Sequence, residues 1–251
     1  MATITLPMVP ANEQQELLVQ TLAGIRSVLD EQGAELIGGH TMESRSASPL
    51  PASLGVQITL AVNGRSSQSP WLKSGLQPGD ALLISRPLGT GVLFAGIMTG
   101  ATKATDLDAA LKGMACSQHV LLGQIEPIRE GIHACTDITG FGLLGHLGEM
   151  LQNSPGLTVE LDGSAIPAYP GSLDLFKRGV SSTLAPSNRT AWRWLEGPVQ
   201  LKQPPSAGLL ELLVDPQTCG PLLLACSSAT AAQLTQNGPW LQIGSATAAH
   251  G

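Results

Sequence analysis

Between Cys135 and His146 the chain reads Cys-Thr-Asp-Ile-Thr-Gly-Phe-Gly-Leu-Leu-Gly-His, and few local architectures accept such a run. His133 to Ile138 is strand-like, Gly140-Phe-Gly142 is a turn, and Leu143 to Leu151 has the apolar content of a helix. The predicted order is strand, acidic residue, glycine turn, helix. Asp137, at the carboxyl end of the strand, is placed to hold Mg²⁺ through its oxygens. The N-terminus of the following helix takes phosphate charge. In a competing reading Asp137 caps the helix or the turn, and composition does not separate the two. The turn lacks the spacing of a Walker A loop.

Elements of both periods surround this run. Residues 2–6 read as a strand. Asn12 is the expected N-cap of a helix reaching about Gln32, with Leu18, Leu22, Ile25 and Leu29 as its buried stripe and Gly33 as its stop. A short strand, Ala34 to Ile37, is expected to lead into Gly38-Gly39-His40-Thr41. Glycines there let backbone N–H groups approach an anion, and the Thr41 hydroxyl can join them. The plainer reading is a strand-end turn with a packed or capped His40. Val56, Ile58, Leu60 and Val62 alternate as in a half-buried strand.

The polar stretch Asn63 to Gln68 marks a boundary, giving domains 1–65 and 66–251. Beyond it come a turn at 76–80, a strand at Ala81–Ser85, a helix at Thr90–Met98 and a longer helix or helix pair from Asp106 to Glu130. Leu157–Leu161, Leu209–Val214 and Pro221–Ala225 read as further strands. Asp215-Pro-Gln-Thr-Cys219-Gly-Pro221 reads as a turn between the last two. The loose alternation makes this half α/β or α+β.

Composition narrows the function classes. Charged residues are 13%, about half the usual share, and 29 Gly with 18 Pro imply many turns. The net charge is −6 and no Lys/Arg run exists, which argues against nucleic-acid binding through a basic patch. An acidic chain still binds nucleotides through backbone amides and a metal. No CxxC pair occurs among four cysteines, so a reduced, cytoplasmic location is expected. The first residues lack the basic and apolar regions of a signal peptide. The charge-free stretch from Pro216 onward is too broken by Gly, Pro, Asn, Gln and Ser for a membrane span. His119, His133 and His146 have no zinc-ligand spacing with Cys. The thiols read as buried and inert, with Asp137 raising the pKa of Cys135.

The run Ala134-Cys-Thr-Asp-Ile-Thr-Gly-Phe-Gly-Leu-Leu-Gly-His-Leu147 resembles the signature of the selenophosphate synthetases (selenide, water dikinases), within the aminoimidazole ribonucleotide synthetase-like superfamily. Gly38-Gly39-His40-Thr41, Gly75 to Asp80, Pro87-Leu-Gly-Thr-Gly91, Ile166-Pro167 and Asp215-Pro-Gln-Thr218 follow in that family's order. The resemblance covers nearly the whole chain and fades after about Ala225. It implies a two-domain α+β or α/β fold: part of an N-terminal, β-barrel-forming dimerisation domain, then a C-terminal α/β domain. It implies a homodimer that turns selenide, ATP and water into selenophosphate, AMP and phosphate with Mg²⁺. Asp137 would then be a Mg²⁺ ligand, and Gly38, Gly39, His40 and Thr41 would contact ATP. No partner nucleic acid or membrane is implied.

The family's selenium-handling Cys and Lys segment is expected upstream of Met1, which leaves no catalytic residue to assign here and makes the chain an amino-terminally truncated version. The family's QTSGG is Gln217-Thr218-Cys219-Gly220-Pro221 in this chain, and Pro221 lacks a backbone donor. Two alternatives stay open: a truncated, inactive paralogue that only dimerises or binds nucleotide, and another ATP-dependent enzyme of the same superfamily.

Overall fold

Ala2, Ile4 and Leu6 alternate with Thr3 and Thr5, and this period of two builds strand β1 (Ala2–Leu6) with its apolar face buried. Helix α1 (Ala11–Glu31) lays Leu17, Leu18, Leu22 and Ile25 on that face. The helix starts one residue before the expected N-cap. Pro10, its φ fixed by the ring, occupies the capping position without a side-chain bond. Gly33 ends the helix at φ +61, where Ala34 N donates to Leu29 O and Gly33 N to Asp30 O.

The chain returns as β2 (Gly39–Glu43), parallel to β1, and then as β3 (Gln57–Leu60), antiparallel to it. The expected strand at 34–37 is absent. Pairing begins at Gly39, opposite Ala2, so the GGHT motif lies largely within a strand rather than in a turn after one. The predicted half-buried alternation of β3 is not realised either, since Ile58 and Leu60 are 48% and 50% exposed.

The computed structural model describes residues 1–44, 55–66, 68–192 and 198–249. It divides into units Met1–Ser69 and Pro70–Gly251.

The second unit is built on a six-stranded sheet. Its elements in chain order are β4 (Ala81–Ile84), α2 (Thr90–Met98), α3 (Ala104–Ala115), α4 (His119–Ile125), a 3₁₀ turn (Glu126–Gly131), β5 (Ile132–Asp137), α5 (Gly142–Gln152), β6 (Leu157–Leu161), α6 (Ser172–Lys177), α7 (Ala185–Trp192), β7 (Val199–Leu201), α8 (Ala207–Val214), β8 (Leu222–Cys226), α9 (Ser228–Asn237) and β9 (Leu241–Ala248). The strand order is β5-β8-β4-β9-β6-β7, antiparallel throughout except for the β6–β7 pair. This makes the fold α+β.

Alternate residues of the strands feed two cores. Leu82, Ile84, Leu223 and Ala225 face the helical layer that includes α2, α5 and α8, while Leu83, Leu224 and Cys226 face α4, α9 and Trp240.

One expected strand is a helix. Leu209 to Val214 lies in α8, started by Ser206, whose Oγ accepts from Leu209 N at 3.2 Å. A short apolar run carries no period of its own, so it is compatible with either buried state. The pre-proline Asp215 takes an extended conformation and stops the helix. Helices α6, α7 and α9 and strands β7 and β9 are not among the expected elements.

Candidate functional site

Strand β5 ends at Asp137, whose side chain is exposed. Among the described residues its carboxylate accepts no hydrogen bond, and α5 has no side-chain cap, its N-cap position being Phe141. The capping role is therefore not realised. The turn after Asp137 is held by backbone bonds instead. Thr139 O accepts from Gly142 N at 3.0 Å and from Gln217 N at 2.9 Å, and Ile138 N donates to Pro221 O at 2.8 Å. Asn188 Nδ2 donates to both Gly140 O and Val214 O at 2.9 Å.

The glycines of this turn differ in what requires them. Gly142 has φ +69, and a Cβ there would lie 2.9–3.0 Å from backbone atoms of residues 213–215. Gly140 has no such constraint, since a Cβ would meet nothing within 4 Å. Packing explains glycine at 142 and leaves glycine at 140 without a packing reason.

His146 braces the turn from below. It is 4% exposed, with Nε2 3.1 Å from Thr139 Oγ1 and Nδ1 2.9 Å from Glu149 Oε2. Lys73 Nζ approaches the same Glu149 oxygen at 2.7 Å. Burial pushes the Glu149 carboxyl up, but hydrogen bonds and charge from Lys73 and His146 outweigh it and leave its pKa below the ordinary value. No group of three or more His, Cys, Asp or Glu able to hold a metal exists among the described residues.

The 215–221 segment is far more than the plain turn expected from spacing. Asp215 is fully buried and Gln217 is 5% exposed. Gln217 Oε1 accepts from Gly89 N at 2.9 Å, Thr90 N at 3.2 Å and Thr90 Oγ1 at 3.2 Å. Its Nε2 donates to Asp215 O at 2.9 Å and Oδ2 at 3.0 Å. Asp215 Oδ2 also accepts from Val92 N at 3.2 Å, and Thr218 N donates to Thr90 Oγ1 at 2.9 Å. The first-turn amides of α2 are thus satisfied from within, by side chains of the 215–218 segment. Burial pushes the Asp215 carboxyl up to about 7, against the hydrogen bonds from Val92 and Gln217. The available sequence signal was polar Asp and Gln set between two largely apolar runs, at 209–214 and 222–226.

The other expected cluster lies in the first unit. Gly38, at φ +157, precedes β2, and Gly39 opens it. A Cβ at Gly39 would run into the Ala2 carbonyl, so packing alone requires that glycine. His40 and Thr41 are exposed strand residues, paired in register with Thr3 and Ile4. Asp137 belongs to the other unit.

The thiols depart from the expectation that all are buried. Burial, and then the Asp137 charge, push Cys135 up to about 11, and burial raises Cys226 to about 12. Cys116 and Cys219 are exposed, and Cys219 has a left-handed backbone at φ +48.

The family described as AIR synthase related protein, C-terminal domain, matches residues 77–251. A selenide, water dikinase of Desulfitobacterium hafniense is 37% identical over 218 residues, covering 86% of this chain and 59% of its own length. The chain thus spans about three-fifths of that relative. Among solved structures, the hydrogenase maturation protein HypE in complex with ATP superposes with a TM-score of 0.60 at 19% identity, over 98% of this chain and 64% of that one. Thiamine monophosphate kinase from Aquifex aeolicus gives 0.59 at 14% identity, over 99% and 71%. The chain belongs to the AIR synthase related family.

Proposed function

We propose that this AIR synthase related chain is the carboxyl-terminal part of an ATP-dependent selenide, water dikinase, which makes selenophosphate, AMP and phosphate from selenide, ATP and water. The observation that carries this is the free Asp137 carboxylate at the end of β5, next to the unobstructed Gly140. The selenide dikinase relative, and the ATP bound by HypE, supply the reaction class.

Mg²⁺ fits Asp137 as one ligand of a site completed by substrate oxygens, since Mg²⁺ commonly takes one or two carboxylates plus phosphates. When bound, the ion would neutralise charge on the phosphates. The chain's own part is to hold Asp137 and the turn rigid through Thr139, His146 and Gln217, and to keep Gly140 clear for close approach of a phosphate. Gly38, Gly39, His40 and Thr41 are assigned to nucleotide contact, with Gly39 also needed for strand pairing. The protein works as a homodimer in the reducing cytoplasm, with selenide as its small-molecule substrate. No helix among the described residues is long and apolar enough to cross a membrane.

The test is Mg²⁺-dependent ATP binding by calorimetry on the complete enzyme. Asp137→Asn keeps the volume and removes the charge. It is expected to weaken Mg²⁺-dependent binding about tenfold or more, about 1.4 kcal/mol, with an unchanged circular dichroism spectrum. Unaltered Mg²⁺ dependence would remove Asp137 from the site.

A further inference from the structure

Two side chains stitch residues 113–118 to residues 219–222. Arg86 Nη1 donates to Gly113 O at 2.9 Å and to Cys219 O at 3.1 Å, and its Nη2 donates to Cys116 O at 2.9 Å. Gln118 Nε2 donates to Gly220 O at 2.9 Å, while its Oε1 accepts from Ser85 Oγ at 2.6 Å and Leu222 N at 3.2 Å. The carbonyls of Cys116 and Cys219 are therefore clasped by the two terminal nitrogens of one guanidinium, although the two residues are far apart in sequence. Both thiols are exposed, whereas Cys135 and Cys226 are half-buried and buried.

A cavity of about 370 Å³ opens beside Cys116, lined by Arg86, Cys116 and Tyr169 among others. Burial raises the Tyr169 hydroxyl's pKa, Arg86 opposes this, and both Cys116 and Cys219 add to the rise. The left-handed backbone of Cys219 is a conformation that non-glycine residues seldom adopt without a local cause.

We propose that Cys116 and Cys219 are a redox pair that closes to a disulfide by exchange with a small disulfide such as glutathione disulfide. One protein thiolate attacks the oxidant's S–S bond, forms a mixed disulfide and releases one glutathione thiolate. The second protein thiolate then attacks the protein sulfur of that mixed disulfide and expels the other glutathione. Two protein thiols are oxidised, one disulfide is reduced to two thiols, and the two protons pass to glutathione. A disulfide spans Cα atoms about 4.4–6.8 Å apart, and the carbonyls of Cys116 and Cys219 are drawn together on one planar guanidinium. Closure would tie the end of α3 to the segment whose Gln217 and Thr218 hold the start of α2.

The test needs no activity and is independent of the proposed reaction. The full reduced chain is incubated with glutathione disulfide, quenched by alkylation and mapped by mass spectrometry without reduction. The expected result is one Cys116–Cys219 cross-linked peptide, two hydrogens lighter than its parts and split by dithiothreitol, with Cys135 and Cys226 uncross-linked. In Cys116→Ser, Cys219 should stop at a stable glutathione adduct. Stable mixed disulfides on both residues of the wild-type chain, a link to Cys135 or Cys226, or a link between two chains would each overturn the proposal.

Discussion

Asp215 shows at the scale of one residue how a buried group can cost stability and still organise a fold. Its carboxyl sits in the interior with its pKa raised to about 7. In the unfolded chain the same group titrates near the ordinary carboxylate value, about 3.9. Between those two values the folded state holds a proton that the unfolded state has released, so stability falls as pH rises through that window and levels off above it. Asp215→Asn keeps the shape and removes the titration. We expect the melting temperature of the wild type to lose ground against Asp215→Asn as pH rises from 4 to 7. The two proteins should be closest at the acid end. A wild-type minus variant difference that does not move with pH in chemical denaturation or thermal melts would contradict the placement of this group.

The residue scale is also where the sequence was least legible. Asp137 stood out because a strand, an acid and a glycine turn follow one another within a dozen residues. Asp215 and Gln217 did not, because their partners Gly89, Thr90 and Val92 are more than a hundred residues away. His146 was seen as part of a motif, but its role as a brace between Thr139 and Glu149 depends on a helix placing it one turn from Glu149.

Among the elements, the glycine turn between β5 and α5 makes the clearest separable prediction. Gly142→Ala should destabilise the fold by about 1–3 kcal/mol through its left-handed backbone alone, with more from crowding against α8. Gly140→Ala should leave the melting temperature within a degree or two and yet weaken ATP binding in the complete enzyme. If both alanines were equally harmless to stability, the backbone packing of Gly142 against residues 213–215 would be wrong. If Gly140→Ala bound ATP normally, the turn would not be a nucleotide cradle.

Helix α8 supplies a simpler test. Ser206→Ala removes the one side-chain cap at its start and should cost about 1 kcal/mol in urea unfolding. A change below a few tenths would mean that tertiary packing, not the cap, starts this helix. Elements with a sustained period or strong flanking glycines, such as α1, α2 and β6, were readable from sequence. Residues 209–214 were not, because six consecutive, mostly apolar residues fit either a strand or a buried helix, and the decision falls to tertiary neighbours.

Across the whole molecule, the first unit leaves its sheet with β2 and β3 at its edges among the described residues, and with Ile58, Leu60 and Val62 exposed. Such edges and apolar side chains favour association. Light scattering at tens of micromolar should therefore give a mass above that of one 25.9 kDa chain. A clean, folded monomer would count against the assignment of this unit to a dimer interface. The second unit carries the β5–α5 turn and the 215–221 segment, and the family match falls on residues 77–251. Phosphoryl transfer needs metal ions, phosphate clamps and a positioned nucleophile together, and this chain spans 59% of the Desulfitobacterium hafniense relative. The most direct measurement sets this chain's second unit within the full length of that relative. Residues 70–251 replace the equivalent part of that relative, folding is verified by circular dichroism, and the chimera is incubated with ATP, Mg²⁺ and selenide under phosphorus NMR. The expected result is selenophosphate and AMP in equal amounts, dependent on selenide and lost in Asp137→Asn. A folded chimera that consumes ATP without selenide-dependent AMP, or whose selenophosphate output is unaffected by Asp137→Asn, would contradict it.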